Sequence, residues 1–151
     1  MQQIDVEAIS RAAPADVFRL LRDGSTWPRW SLFDAFELER EGAGDRLGVG
    51  AIRVFVTRVS RAREEVVELI PDRRLSYILL SGLPLEDYRA GVDLSPAPDG
   101  GTTIRGRSRF RPKHPILGWF WRGLMTRTLT DVARQLAKAA EDPAMVRLAE
   151  R

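Results

Sequence analysis

The chain has 151 residues, a net charge of +3 from 24 lysines and arginines against 21 aspartates and glutamates, and no cysteine. Its length suits one domain built around its own core, so we expect residues 1–151 to fold as a single unit. The lack of cysteine excludes disulfides and thiol catalysis, and the small positive excess does not by itself indicate nucleic-acid binding. Residues 1–5 lack a signal-peptide pattern and no apolar run approaches the ~18 residues of a membrane span, so a cytoplasmic location is expected.

The first predicted elements are a strand and a short amphipathic helix. Apolar residues alternate with polar ones over residues 3–11, which indicates a strand. Pro14 suits the first turn of a helix, because its missing N–H would have no partner there, and Asp16 complements the positive end of the helix dipole. Residues 25–30 then predict a second short helix or turn.

Residues 42–50 form the segment richest in glycine. The segment lacks the closing Gly-Lys-Ser/Thr of a phosphate-binding loop. It also lies between two predicted strands, whereas a dinucleotide-binding loop joins a strand to a helix. The pattern therefore predicts a hairpin loop.

The middle of the chain consists of predicted strands. Turn residues at 71–72 and 98–101 mark the clearest breaks between them. The loops are too short for crossover helices, so consecutive strands are expected to pair antiparallel in a meander. The predicted strands begin near Phe36 and then cover residues 51–58, 63–70, 75–80, 88–94 and 103–111.

One long helix is predicted over Leu117–Ala140, ending or bending at Asp142–Pro143. At about 100° per residue its apolar side chains fall on one stripe, which predicts that this side of the helix packs on the concave face of the sheet. The residues of the stripe expected to be buried are Trp121, Met125, Leu129, Val132 and Leu136.

Four arginines, Arg105, Arg107, Arg109 and Arg111, alternate with smaller or apolar residues in the last predicted strand. Period-two spacing places all four on one face of that strand. The favoured interpretation is a solvated outer face of the sheet, and an anion-binding surface is the alternative.

The order of these elements is that of a helix-grip fold, in which a sheet and a long helix enclose a cavity. The chain also resembles the polyketide cyclase/dehydrase and lipid-transport family of the START-like, birch-pollen-allergen-like superfamily. The matching segments include residues 13–18, residues 48–51, residues 64–77 and residues 81–84. The resemblance implies an α+β fold with a seven-stranded antiparallel sheet wrapped around the C-terminal helix, two short helices after the first strand, and a hydrophobic ligand cavity.

Glu68 is the candidate catalytic residue. It lies between Val66 and Ile70 at period two, so its carboxylate would face the cavity if those apolar residues do, and desolvation would then raise its pKa toward acid–base use. An exposed or structurally paired role is the alternative. His114 is the only histidine in the chain, which leaves no histidine-based metal cluster, and its position before a proline indicates a surface loop.

Several other side chains are expected to line a pocket with Glu68, because each lies on a strand or helix face predicted to point inward. Core packing is the alternative for the two tyrosines. Trp119 and Phe120 point away from the apolar stripe, so they either pack beneath a loop, form a dimer interface or contact a membrane surface. The predicted ligand-binding residues are Phe55, Glu68, Tyr77, Tyr88, Ser108, Trp121 and Met125.

The predicted function is binding of a small hydrophobic or amphipathic ligand, lipid or polyketide-like, in the cavity. An aromatase/cyclase or dehydrase acting on a polyketide-type substrate is the alternative, and a protein-interaction module is the second alternative. No cofactor, no metal and no nucleic acid is expected. Membrane contact is less favoured than a ligand in solution, and the protein is expected to be a monomer or a homodimer.

Overall fold

The computed structural model describes residues 1–150, in which seven strands form one antiparallel sheet. The spatial order of the strands is β1-β7-β6-β5-β4-β3-β2, so every strand from β2 to β7 lies beside its neighbour in sequence. The strands are β1 (Gln2–Ser10), β2 (Ala35–Arg40), β3 (Ile52–Val56), β4 (Arg61–Ile70), β5 (Arg74–Ser81), β6 (Leu85–Pro96) and β7 (Thr102–Pro112). The predicted meander and the α+β helix-grip fold class are confirmed.

The pairing of β4 with β5 shifts register twice, between Arg63 and Glu64 and again between Val66 and Glu68. Val66 pairs with Tyr77 of β5, but Glu68 pairs with Ser76, so the register shifts by one residue between Val66 and Glu68. Such a bulge reverses the face to which the following residues point. Val66 is fully buried, whereas Ile70 is exposed.

Two short helices follow β1, as predicted. Helix α1 (Pro14–Arg22) begins with a proline at its first turn and buries Val17, Phe18, Leu20 and Leu21. A 3-10 turn (Gly24–Thr26) is capped by the side chain of Asp23, which accepts a hydrogen bond from the Ser25 backbone N–H. Helix α2 (Trp27–Trp30) completes the segment, and the indole Nε1 of Trp27 donates a 3.0 Å hydrogen bond to the Leu20 carbonyl. This bond fixes α2 against α1.

The long helix α3 (Gly118–Ala140) follows a 3-10 turn at Pro115–Leu117 and packs mainly against β1, with fewer contacts to β7. Near its C-terminal end, Ser10 Oγ donates a 2.7 Å hydrogen bond to the Ala137 carbonyl. A short helix α4 (Pro143–Leu148) follows, capped by Asp142, where the sequence indicated only an end or a bend.

The expected burial of the α3 stripe is only partly correct. Met125 and Leu136 are buried, but Trp121, Leu129 and Val132 are half-buried. The difference arises because α3 packs against one side of the sheet, through small residues such as Ala133 and Ala137, and stands away from the middle of the sheet. The stripe therefore faces a space between helix and sheet.

The four alternating arginines lie on the outer face of β7, as their spacing predicted. Arg105 pairs with Asp5 of β1, and Arg107 pairs with Asp93 of β6 at 2.6 Å. Arg111 lies 3.8 Å from Asp87. Because acidic side chains on neighbouring strands pair with these arginines, the outer face agrees with the favoured interpretation of a solvated surface.

Gly82, just after β5, should be the glycine least tolerant of a side chain. It has a φ of +107°, and a Cβ there would overlap the Arg61 carbonyl oxygen, so Gly82→Ala should destabilise the protein by about 1–3 kcal/mol. Gly100 is the control, because its φ is +87° but a Cβ there meets nothing within 4 Å. Thermal unfolding should show the larger loss for Gly82→Ala, and equal losses would contradict the predicted overlap.

Candidate ligand cavity

A cavity of about 480 Å³ lies between the middle of the sheet and α3. Its walls come from the inner faces of β1, β4, β5, β6 and β7, from α1 and α2, and from the half-buried stripe of α3. Apolar wall residues include Val6, Leu21, Trp27, Ala62, Leu79, Val92, Ile104, Trp121, Met125, Leu129 and Val132. A larger groove of about 750 Å³ lies on the outer face of the sheet, but it is open to solvent and has charged residues along it.

The mouth of the cavity has an apolar rim. Val59, in the turn between β3 and β4, is 95% exposed, and Leu32 and Leu124 are 41% and 42% exposed. Residues 82–84 between β5 and β6 complete the lining near these positions. An apolar molecule can therefore meet apolar surface before it enters the cavity.

An aromatic cluster supports the wall formed by α2. The Trp27 ring lies 4.6 Å from the Phe55 ring and 5.9 Å from the Phe33 ring, measured between centroids. Trp27 and Phe33 line the cavity, whereas Phe55 lies behind them. Such tilted ring pairs contribute packing energy beyond the area that they bury, so they stabilise this wall.

A buried ion pair crosses from β3 to β4 at this end of the cavity. Arg53, which is 1% exposed, donates hydrogen bonds to the Leu21 carbonyl at 3.1 Å and to Glu64 Oε1 at 3.3 Å. Its guanidinium carbon lies 4.9 Å from the Phe55 ring centroid, 5.4 Å from Trp27 and 5.9 Å from Tyr77. Because these groups surround the guanidinium, it stays behind the wall, and Glu64 is the member of the pair that reaches the cavity.

The environment of Glu64 changes its protonation. Burial raises its pKa to about 7, although the nearby positive charge of Arg53 and the hydrogen bond from it act in the opposite direction. Within residues 1–150, the second oxygen of this carboxylate accepts no hydrogen bond. Glu64 therefore presents a free acceptor to a mostly apolar space.

Two tyrosines continue the polar part of the lining. Tyr77 and Tyr88 stack with ring centroids 6.2 Å apart, and Tyr88 stacks on Phe110 at 5.8 Å. Burial raises the pKa of both phenols, so both remain protonated at neutral pH and can donate hydrogen bonds. Register places Tyr77 diagonally across from Glu64, because Glu64 pairs with Leu79 and Val66 pairs with Tyr77.

The structure brings together four of the residues predicted from the sequence and separates three. Tyr77, Tyr88, Trp121 and Met125 line the cavity. Phe55 and Ser108 are buried but do not line the cavity: Trp27 and Phe33 cover Phe55, and Ser108 lies behind Tyr88, toward the groove on the outer face of the sheet.

Glu68 does not border the cavity, so the geometric premise for its role was wrong. The bulge in β4 turns it to the outer face, where it accepts a hydrogen bond from Ser76 Oγ at 3.1 Å and lies 3.6 Å from Arg74. The carboxylate that does reach the cavity is Glu64, which lies on the inner face before the bulge.

Trp119 and Phe120 are exposed on the surface of α3. Trp119 is 77% exposed and Phe120 46%, so the expectation that they pack beneath a loop is wrong for Trp119. Their rings contact each other edge to face at 6.2 Å. His114 is exposed, in line with its predicted surface position.

Among residues 1–150, no group of three or more histidine, aspartate or glutamate side chains is arranged to hold a metal ion. Over the same residues, no helix has both the length and the apolar character needed to cross a bilayer.

The antiparallel sheet, the long helix α3 and the cavity between them are the arrangement of a helix-grip fold. Residues 1–141 match the model of the family described as polyketide cyclase/dehydrase and lipid transport, and the chain belongs to that family. A comparison with curated proteins found no match.

Solved structures share the fold at low sequence identity. A START superfamily protein from Mycobacterium smegmatis superposes with a TM-score of 0.80 at 13% identity, covering 92% of this chain and 97% of that one. Ara h 8.0201 gives a TM-score of 0.71 at 17% identity, covering 93% and 97%. A protein from Thermus thermophilus gives 0.68 at 20% identity, covering 99% and 100%. At these identities the similarity shows the fold.

Proposed function

We propose that this protein binds a small hydrophobic or amphipathic molecule in the cavity between the sheet and α3. The observation that carries the proposal is the cavity of about 480 Å³ with mostly apolar walls and a few polar groups from Glu64, Tyr77 and Tyr88. Ligand sites in proteins have this composition, since apolar walls supply affinity and a few polar groups set orientation. Membership in a family whose description includes lipid transport supports the same function.

The wall also favours binding because packing and a hydrogen bond hold part of it in place. Each Å² of apolar ligand surface removed from water contributes about 25 cal/mol, and little of this is lost when the site need not rearrange. The stacked aromatic residues around Trp27 and the hydrogen bond from its indole to Leu20 hold one wall in place.

A cyclase or dehydrase acting on a polyketide-type substrate is the second candidate function. One observation favours it: Glu64 reaches the cavity and its pKa is raised to about 7, which suits a group that exchanges protons near neutral pH. If the protein turns over a poly-β-keto substrate and Glu64→Gln abolishes the turnover, the enzymatic function is supported. If the protein retains a ligand without turnover, the binding function is supported.

Native mass spectrometry of the purified protein, before and after organic extraction, tests the binding function directly. A retained small molecule that extraction removes would support the proposal and give the class of ligand. A mass equal to that of the bare chain, together with no response to any added apolar probe, would contradict it.

Filling the cavity should abolish binding without unfolding the protein. Val132 is half-buried and faces the cavity from α3, so Val132→Trp places an indole in the ligand space. With 2-methylnaphthalene at ten times its Kd, the natural chain should gain about 1.4 kcal/mol of stability, or about 3–6 °C in Tm. The variant should lose most of this gain.

Arg134→Trp is the matched control, because Arg134 is exposed on the opposite side of the same helix. It should retain the full rise in Tm with the probe. Equal responses in the two tryptophan variants would mean that the probe binds elsewhere.

A further inference from the structure

The ion pair between Arg53 and Glu64 is asymmetric with respect to the cavity. The guanidinium contacts the Leu21 carbonyl and three aromatic rings behind the wall, whereas the carboxylate forms part of the lining. An incoming molecule therefore meets the negative member of the pair first. Because Arg53 already balances that charge, the pair as a whole is neutral and does not demand a cationic ligand.

The hydrogen-bonding capacity of Glu64 is only half used by the protein. Oε1 accepts from Arg53 Nη2 at 3.3 Å, and within residues 1–150 the other oxygen has no donor. A carboxylate oxygen in an apolar space is costly unless it accepts a hydrogen bond, and such bonds are stronger than those between neutral groups. The part of a ligand that reaches this oxygen should carry a donor.

The neighbouring tyrosines limit which donor fits. Tyr77 lies diagonally across the strand pair from Glu64, and Tyr88 stacks on Tyr77. Tyr77 and Ser108 each donate toward the Tyr88 oxygen, which leaves the Tyr88 proton to be donated to a ligand, while the free carboxylate oxygen can accept a hydrogen bond. A hydroxyl group both donates and accepts, so it can use both kinds of partner at once. A carboxylate on the ligand can only accept, and it would be repelled by Glu64.

We propose that the ligand of this cavity carries a hydroxyl group on an apolar body, as an alcohol or a phenol, and that the free oxygen of Glu64 accepts its hydrogen bond. The inference rests on the proposed binding function and deepens it. Arg53 acts as a positioning residue, since it holds the carboxylate toward the cavity from behind. Molecules of similar size that end in a carboxylate are excluded.

Three probes of one shape separate these chemistries: 2-naphthol, 2-methylnaphthalene and 2-naphthoate. Their affinities for the natural chain, Glu64→Gln and Glu65→Gln are measured by calorimetry at pH 8. Glu65 is the matched control, because it is adjacent in sequence but pairs with Arg40 on the outer face of the sheet. Glutamine at position 64 keeps an oxygen that can accept from Arg53.

The ratio of naphthol to methylnaphthalene affinity should fall about tenfold in Glu64→Gln, as expected for a lost hydrogen bond to a charged acceptor. The same ratio should be unchanged in Glu65→Gln, and naphthoate should bind most weakly to the natural chain. An unchanged ratio in Glu64→Gln, or tightest binding by naphthoate, would overturn the hydroxyl inference while leaving cavity binding intact. Failure of both neutral probes to bind the natural chain would overturn the proposed function as well.

The pH dependence of probe binding to the natural chain tests the same hydrogen bond without the Glu64→Gln variant, so failure of that variant to fold would lose only that one comparison. Naphthol affinity should fall several-fold from pH 8 to pH 6 as Glu64 becomes protonated, while methylnaphthalene affinity should stay constant. The ionisable groups that face Glu64 are Arg53 from β3, Tyr77 from β5 and Tyr88 from β6. Burial raises the pKa of both phenols, so neither tyrosine loses its proton between pH 6 and pH 8. The side chains of α3 that line the cavity are apolar apart from Thr128. Equal pH dependence for both probes would contradict the inference.

Discussion

Arg53→Met is expected to lower the free energy of unfolding by about 3–5 kcal/mol at pH 8, the usual cost of leaving one member of a buried ion pair without its partner. Arg53 is 1% exposed, and its removal would leave the Leu21 carbonyl without its donor and Glu64 without a counter-charge, so at pH 8 Glu64 must either stay ionised in the interior or take up a proton, and both cost free energy. The measurement is urea unfolding followed by circular dichroism. At pH 5 the loss should be much smaller, because a protonated Glu64 needs no counter-charge.

The double variant Arg53→Met/Glu64→Leu shows whether the loss comes from the unpaired charge. Replacing both members of a buried pair with apolar residues is often neutral or stabilising, so the double variant should recover most of the stability lost in Arg53→Met. Arg63→Met removes a cation from an exposed pair with Glu39 on the outer face and should change stability little. If the double variant were as unstable as Arg53→Met, the packing of the arginine, and not its charge, would be the cause.

The natural chain should lose stability as the pH rises from 5 to 8. The pKa of Glu64 is raised from 4.5 to about 7 by burial, so in this window the folded state holds a proton that the unfolded state has released. The favourable contribution is complete below pH 4.5 and is lost as the pH passes about 7. At 1.36 kcal/mol per pKa unit the change is at most about 3 kcal/mol.

Glu64→Gln should remove this slope, because glutamine does not titrate. Denaturant unfolding at half-unit pH intervals for both proteins is the measurement. Asp93 affects stability in a different pH range. Desolvation opposes its ionisation, but hydrogen bonds from Arg107 and Arg74 outweigh desolvation and keep the pKa of Asp93 below the ordinary value. Its contribution is therefore lost only in acid. The same slope in both proteins would exclude Glu64 as its source.

The architecture could be predicted because it depends on signals that are local in the sequence. Alternation identified the strands, short turns required antiparallel pairing, and Pro14 marked the start of α1. The bulge in β4 could not be predicted in this way, since the segment from Val66 to Ile70 has the same alternation with or without an extra residue. That one shift moved Glu68 to the outer face.

The cavity shows a second limit of periodicity. The stripe on α3 correctly predicted which side of the helix faces the sheet, but a stripe facing a cavity and a stripe packed against a sheet have the same spacing. Trp121, Leu129 and Val132 remain half-buried because α3 lies toward β1. The distance between two elements depends on their small residues, here Ala133 and Ala137, more than on the large ones.

Arg53 and Glu64 were missed because their relation depends on register. An arginine within the apolar strand Ile52–Val56 indicates a buried charge, and a buried charge requires an oppositely charged partner. That partner is Glu64, the residue directly opposite Arg53 in β4. Identifying that partner requires the strand pairing. Four of the predicted lining residues could be placed without it, because each needed only the correct face of its own element.

The pairing of β1 with β7 has a consequence for synthesis of the chain. Gln2 pairs with Phe110, so β1 has no neighbour in the sheet until the ribosome has also made β7. Helix α3, which covers the cavity, is translated later still. Contacts so distant in sequence form slowly, and until they form the apolar inner face of the meander is exposed to other nascent chains.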